Sequence, residues 1–320
     1  MKEKEILLFG ASGQIGRNLI RKLAKRNYKV TAVTRNYHQK AYILKTQANP
    51  GYLEIKEANI FKKEVLEDLI RNSEICINLI GILYENKKNT FNSIHCTLPS
   101  FISELCSKHK VKQFIHLSAL GIDEAHDSEY AKSKLEGEKL IKKNFENSLI
   151  LRPSLVYSVD DNFTTRFMSI LSLLPIFPIY YSGKTKFAPI HVSDLVDIIV
   201  GCLENEINST VIDCVGPDII TFKDIIKKLL KAIEKKRLII PMPLSLGKIT
   251  ASIFETFMSK PLLTLDQLKL LKYDNINKGN NKTNFDFNLE SKLKFDTEIE
   301  KYAYMWKESG QFSQNLNKIK

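Results

Sequence analysis

Through the first half of the chain, short apolar runs alternate with stretches whose apolar residues recur every three or four positions. Glu5-Ile6-Leu7-Leu8-Phe9 is such a run, and in Arg17-Asn18-Leu19-Ile20-Arg21-Lys22-Leu23 the apolar residues fall at helical spacing. Further strands are expected at Lys29 to Val33, Leu53 to Lys56, Ile75 to Ile80, Gln113 to Leu117, and Leu149 to Leu151, the last stopped by Pro153. Helices are expected at Lys63 to Ile70, Phe91 to Lys108, and Ser128 to Asn144. Strict alternation of this kind predicts an α/β fold, a Rossmann-type doubly wound parallel sheet with helices on both faces.

The second half loses the regularity. Residues 173–181 are apolar but interrupted by Pro175 and Pro178, which excludes a regular helix. Ser193 or Asp194 is expected to cap a helix over Leu195 to Leu203, and Thr221 one that runs to about Glu234. Val211 to Val215 reads as a strand, and apolar helical patches recur between Pro241 and Leu271. The stretch 275–284 is rich in asparagine, lysine and glycine, and is expected to be mobile. The organisation expected is therefore a cofactor domain over 1–155, with 190–203 returning to it, and a smaller mixed C-terminal domain over 156–320 for substrate or partner.

Between the first strand and the first helix lies Gly10-Ala11-Ser12-Gly13-Gln14-Ile15-Gly16. Gly10 allows a sharp turn, Gly13 removes the Cβ that would hold a pyrophosphate off the backbone, and Gly16 lets the helix approach the strand. Phosphates would face the N–H groups of the helix start and the positive end of its dipole. A plain tight turn also uses glycine. The position between strand and helix, with a second strand about twenty residues on, favours a dinucleotide.

Composition narrows the classes. At 320 residues with 43% hydrophobic and 26% charged content, the chain has ample material for a core. The five cysteines have no zinc or Cys-x-x-Cys spacing and suit buried thiols in a reducing compartment. No run is long enough for a membrane span, and no basic, apolar leader precedes the first strand, so neither secretion nor organelle import is expected. The formal charge is +12, yet only eight of the 48 basic residues are arginine. Without an aromatic-interleaved basic cluster, the charge reads as lysine spread over solvated faces, and nucleic acid is not an expected partner. An anionic membrane surface or an acidic partner subunit stays open.

Tyr130 and Lys134 lie four apart on one expected helix and project from the same face. A nearby ammonium favours tyrosinate and brings the phenol toward the range of a general acid or base. Ser118, at the end of the fifth strand, could polarise a substrate carbonyl. The six histidines lack metal spacing, so no metal site is expected, and His116 and His191 read as structural. Asp160 and Asp161 read as caps of the helix around Phe163.

With these motifs the sequence resembles the extended, atypical branch of the short-chain dehydrogenase/reductase superfamily, whose members include NAD-dependent epimerases and dehydratases. Asn78-Leu79-Ile80-Gly81-Ile82-Leu83-Tyr84, Phe114 to Gly121, Leu151-Arg152-Pro153-Ser154-Leu155-Val156-Tyr157, Gly183 to Val192 and Gly216-Pro217 are similar to one subgroup. It is the subgroup of the alpha-subcomplex subunit nine of NADH:ubiquinone oxidoreductase, complex I, with bacterial relatives. The resemblance implies a tightly bound nicotinamide dinucleotide lined by Gly10, Ser12, Gly13, Gln14, Ile15, Gly16, Asn59, Ile60, Leu79, Ile80, Gly81, Tyr130, Lys134 and Pro153. It also implies a role in complex I assembly or stability. In a bacterial relative that means a cytoplasmic protein, peripheral on the inner face of the cell membrane.

The sequence departs from the usual NAD pattern after the second strand. Thr34-Arg35-Asn36 stands where a carboxylate would accept from a ribose 2′-hydroxyl, and a guanidinium suits a 2′-phosphate. NADP(H) is therefore favoured over NAD(H). Asn59 replaces the aspartate that relatives often place beside the adenine, and its amide could still bond the exocyclic amine. The favoured expectation is an NADP(H)-binding protein whose nucleotide is mainly structural. Its rival is an active oxidoreductase or epimerase, with Tyr130 moving the proton, Lys134 holding the ribose and Ser118 orienting the carbonyl.

Overall fold

The computed structural model describes residues 5–258 and 260–312. In chain order the first elements are β1 (Glu5–Phe9), α1 (Gln14–Lys25), β2 (Lys29–Thr34), α2 (Tyr37–Lys45), β3 (Leu53–Glu57) and α3 (Lys63–Arg71). Next come β4 (Ile75–Asn78), α4 (Leu98–Lys108), β5 (Gln113–Leu117), α5 (Glu129–Asn144) and β6 (Ser148–Pro153). The later elements are β7 (Val156–Tyr157), α6 (Thr164–Leu173), β8 (Ile176–Ile179), β9 (Lys186–Phe187), β10 (Ile190–His191), α7 (Val192–Glu204) and β11 (Thr210–Cys214). They end with β12 (Ile220–Thr221), α8 (Phe222–Ala232), β13 (Leu238–Pro241), α9 (Leu244–Phe257), α10 (Leu265–Leu270), β14 (Lys282–Thr283) and α11 (Phe295–Ala303).

The described residues fall into two units, one of 5–153, 195–214 and 278–290, the other of 154–194, 215–277 and 291–312. The first unit holds an eight-stranded sheet in the order β14-β11-β6-β5-β4-β1-β2-β3. Every pairing in it is parallel. This is the doubly wound sheet the alternating pattern predicts. Leu7 and Phe9 of β1, Cys76 of β4 and Phe114 of β5 pack against Leu66 and Ile70 of α3 and Leu98 and Ile102 of α4. Ile6 and Leu8, on the opposite face, are buried as well. Two covered faces explain why the strands read as unbroken apolar runs. The direction of chain progression reverses between β1 and β4, the place where ligands of such sheets bind.

The expected helix from Phe91 to Lys108 is not one regular helix. Residues Asn92–Thr97 form a π-type turn before α4 begins. Pro99 explains it, since it has no N–H to return to the carbonyl of His95, four residues back.

Ser193 and Asp194 do not cap the following helix. α7 already starts at Val192, and the Asp194 carboxylate instead accepts the N–H groups of Lys292 and Leu293, each at 2.9 Å. Thr221 does cap α8, accepting from Asp224 N–H at 3.2 Å. The proline-broken stretch supplies β8, which pairs in parallel with β13 in a two-stranded ribbon. A ribbon of two edges tolerates Pro178.

The stretch 275–284, expected to be mobile, carries the following contacts. Asn275 Oδ1 accepts from Ser154 Oγ at 2.7 Å, Asn281 donates to Asp213 Oδ1 at 3.2 Å, and β14 pairs with β11. Asn284 is buried and donates to the Leu289 carbonyl at 2.8 Å. The five cysteines are buried free thiols.

Candidate functional site

β1 ends in a turn at Gly10, whose φ of +78° L side chains rarely adopt. A Cβ there would also meet the Leu79 carbonyl carbon at 3.0 Å, so the loops after β1 and β4 touch at this point. Gly13 N–H closes the turn on the Gly10 carbonyl at 3.1 Å and then caps α1. A Cβ on Gly16 would stand 2.5 Å from the Gly10 oxygen and 2.6 Å from the Ala11 oxygen. The helix is thus pressed against its own turn. Gly13 is different: a Cβ there meets only the Gly10 oxygen, at 3.3 Å, and the residue faces solvent. Its bareness leaves room above the helix start, with half-buried Ser12, Gln14 and Ile15 around it. No side chain caps this start and its first turn carries no acid. An open, uncompensated positive helix end beside a bare backbone fits a pyrophosphate.

At the end of β2, Thr34 is buried and Arg35 exposed. Asn36 is used locally, its side-chain oxygen accepting from Gln39 N–H at 3.1 Å to cap α2. A carboxylate does reach this turn, from the neighbouring strand: Glu57, in register with Thr34, accepts Tyr37 N–H at 2.7 Å. Asn59 is exposed and Ile60 buried. The Asn59 amide oxygen already accepts Phe61 N–H at 3.0 Å, so a ligand amine would have only its second lone pair.

The loop after β4 is shaped by Asn78. Its amide oxygen accepts Ile80 N–H at 3.1 Å while its nitrogen donates to His116 Nδ1 at 3.2 Å. His116 is therefore neutral with its proton on Nε2, and burial holds its pKa well below the usual range. Half-buried Leu79 and Ile80 lead to exposed Gly81, where a Cβ would lie 3.4 Å from Lys134 Nζ.

Ser128 caps α5, accepting from Ala131 N–H at 3.2 Å, and this sets the helix phase. Tyr130, Lys134 and Glu138 follow at successive turns of one face. Lys134 is buried and donates from Nζ to the Leu117 carbonyl at 3.0 Å, the residue before Ser118. Burial lowers its pKa to about 8, against a smaller opposing effect of Glu138. Glu138 takes a two-point contact from Arg152 at 2.9 and 2.8 Å, both groups buried. Ser118 is buried, its N–H donates to the Leu151 carbonyl at 2.7 Å, and its Oγ has no hydrogen-bond partner among the described residues. Pro153 closes β6, its carbonyl accepting Leu120 N–H at 3.0 Å.

His95 is the residue that sequence reasoning missed. Its ring lies edge-on to half-buried Tyr130, centroids 5.2 Å apart, and stacks on Phe91 at 5.5 Å. Nε2 accepts Ile82 N–H at 3.2 Å, which leaves the proton on Nδ1 to meet Ser133 Oγ at 2.9 Å. Ser133 Oγ in turn donates to the Tyr130 carbonyl at 2.8 Å. Burial first, and Lys134 second, lower the His95 pKa to about 2. α5 crosses here at Gly137, where a Cβ would collide with the freed His95 carbonyl. The only sequence signal was Pro99 four residues on.

The structure thus gathers Gly10, Leu79 to Gly81, Ser118 and Lys134 at the strand ends, with Tyr130 one turn back along α5. Arg35, Asn59 and Ile60 stand on the β2 and β3 side, and Pro153 at the end of β6. In the second unit, His191 accepts Ser193 N–H at 3.3 Å, and Asp161 accepts Phe163 N–H at 2.9 Å and Thr165 N–H at 3.0 Å at the start of α6.

A model of the NAD dependent epimerase/dehydratase family matches residues 6–213. The chain is similar to the NADH-ubiquinone oxidoreductase 40 kDa subunit, mitochondrial, of Neurospora crassa. The two are 25% identical over 284 residues, 88% of this chain and 74% of that one. It is also similar to NADH dehydrogenase [ubiquinone] 1 alpha subcomplex subunit 9, mitochondrial, of Dictyostelium discoideum, at 28% identity over 82% of this chain and 73% of the other. Among solved structures, UDP-glucuronic acid 4-epimerase from Bacillus cereus, in complex with UDP-glucuronic acid and NAD, superposes with a TM-score of 0.71. That match covers 93% of this chain and 98% of the other at 20% identity, a likeness of fold.

Proposed function

The chain belongs to the NAD dependent epimerase/dehydratase family, and from that premise we propose a nicotinamide-dinucleotide-binding protein of the complex I subunit-nine type. The bound nucleotide, NADP(H) in preference to NAD(H), chiefly holds the fold together and supports complex I assembly. The observation that carries this reading is that complex I subunits align along more than four fifths of the chain, 88% and 82%. The open start of α1 over Gly13 supports the nucleotide, and exposed Arg35 supports a 2′-phosphate. Such a partnership would bring the protein to a membrane surface.

When bound, the nicotinamide supplies hydride exchange. Around it, Gly10 to Gly16 would hold the pyrophosphate, and Lys134 the ribose. Glu57 bears on cofactor choice from the turn that Arg35 occupies.

One observation favours a second reading, an active oxidoreductase or epimerase. The buried Ser118 hydroxyl has no partner among the described residues and could orient a substrate oxygen. Tyr130 would then give or take the proton at its phenol oxygen, and Lys134, with a pKa of about 8, would stand as the ammonium beside it at neutral pH.

Tyr130→Phe separates the two readings, because it keeps the ring against His95 and removes only the hydroxyl. A structural nucleotide predicts near-normal NADH:quinone activity in a host carrying the variant. Nucleotide released on denaturing the purified protein should remain stoichiometric and slow to exchange. Loss of a measurable cellular reduction while complex I stays intact would overturn the structural reading in favour of the enzyme, where about a hundredfold in turnover is at stake.

A further inference from the structure

α9 is a helix dressed for burial and left in the open. Of its fourteen residues only Gly247 and Ala251 are buried. It rests on the second unit through its smallest side chain, since a Cβ on Gly247 would stand 2.5 Å from the Tyr180 ring. Leu246, Ile249, Ile253 and Phe257 are 49%, 58%, 49% and 82% exposed. At 3.6 residues per turn these four form one continuous stripe, about a third of a turn from the Gly247–Ala251 face. Lys248, Ser252, Glu255 and Thr256 make up a separate polar sector. Soluble helices put such a stripe against a core.

Charge identifies what covers it. The stripe is uncharged, while the sequence segment that contains it, 235–272, carries seven basic side chains against two acidic ones, a net of five positive charges. Of these, Glu255 accepts Leu265 N–H at 2.9 Å, Asp266 pairs with Lys269 at 3.9 Å, and Arg237 donates to the Leu171 and Ser172 carbonyls, each at 2.9 Å. Phe257 stands out as a protrusion, which a fluid hydrocarbon boundary accepts without a matching pocket. Fourteen residues span about 21 Å, short of the ~30 Å hydrocarbon core, so the helix would lie in the interface plane. No helix among the described residues is long and apolar enough to cross a membrane.

We propose that α9 docks this protein onto an anionic lipid surface, with Leu246, Ile249, Ile253 and Phe257 entering the acyl boundary and the lysines of 235–272 contacting headgroup phosphates. This deepens the peripheral placement proposed above and needs no complex I. The vesicle test contains neither complex I nor added nucleotide, so its failure leaves the nucleotide reading standing.

The full chain is sedimented with phosphatidylcholine vesicles, with or without phosphatidylglycerol, at low and high salt. Binding is expected on the anionic vesicles, weakened by salt, and reduced at least tenfold by Ile253→Ser/Phe257→Ser, whose sites are solvent-facing. Phe257→Trp keeps the apolar contact, and its emission should shift to the blue on the anionic vesicles alone. Absent vesicle binding, binding equal in the serine variant, or an unshifted tryptophan overturns the proposal. So does a self-associated form that the serine variant dissolves when vesicles bind neither protein, since the face would then belong to a second copy.

Discussion

A Cβ on Gly16 would stand 2.5 Å from the Gly10 carbonyl oxygen, whereas one on Gly13 would stand 3.3 Å from the same atom. The first distance is inside any real carbon–oxygen contact and the second is merely tight. Two glycines of one turn thus do different work: Gly16 lets the helix seat, and Gly13 leaves space for something else. Gly16→Ala is expected to lower stability by about 1–3 kcal/mol, as overpacking does. Gly13→Val should cost about 1 kcal/mol as a poor helix cap and abolish nucleotide retention, and the lost ligand should lower the melting temperature further. Thermal melts and the nucleotide content of the purified variants check both. Full retention in Gly13→Val would move the nucleotide away from this turn.

His95 carries a pH dependence whose sign follows from its burial. Its pKa is lowered from 6.5 to about 2 in the folded protein. Above pH 6.5 neither state is protonated there, and the contribution is constant. Below that value the unfolded chain takes a proton that the fold refuses, so stability falls as pH drops toward 2. Each unit in that window costs about 1.4 kcal/mol, hence roughly 2 kcal/mol between pH 6.5 and 5. His116, shifted in the same direction, adds to the slope. Urea unfolding at pH 7 and pH 5 should show His95→Gln losing less stability on acidification than the unmodified protein. Parallel losses would mean that His95 is protonated in the fold.

Arg35 should set the choice of cofactor. NADPH is expected to bind more tightly than NADH, and Arg35→Ala to narrow the gap by weakening NADPH alone. A charge-assisted contact is worth about 1.5–3 kcal/mol, roughly ten- to a hundredfold in affinity. Glu57 stands at the same turn, held by Tyr37 N–H, so Glu57→Gln should strengthen NADPH rather than NADH. Isothermal titration of the three nucleotide-free proteins with NADPH and NADH reads all six affinities. Equal affinities in the unmodified protein would remove the case for a 2′-phosphate at Arg35.

How much of this was legible beforehand depends on how far apart the interacting residues lie. The strand from Glu5 to Phe9, the glycine turn and α1 are written locally, as a buried run, residues without Cβ, and a 3.6-residue period. Their identity in the sequence is close to their identity in space. The expected cap at Ser193 or Asp194 failed because capping residues also serve distant backbone: Asp194 is consumed by Lys292 and Leu293. The absence of a carboxylate after β2 was true of the chain but not of the turn, because sheet register brings Glu57 beside Thr34.

By itself the sequence determined the doubly wound parallel sheet, the glycine turn and the Tyr130–Lys134 spacing, all consequences of periodicity and of single-residue sterics. Only the tertiary structure decided that Lys134 is buried against Leu117, that Glu138 is matched by Arg152, and that His95, thirty-eight residues from Ser133, is locked neutral beside Tyr130. It alone decided that α9 meets solvent with its apolar stripe. Burial and hydrogen-bond partnership are properties of neighbours in space. Apolar spacing records that a face seeks cover, and only packing decides whether the chain itself provides it.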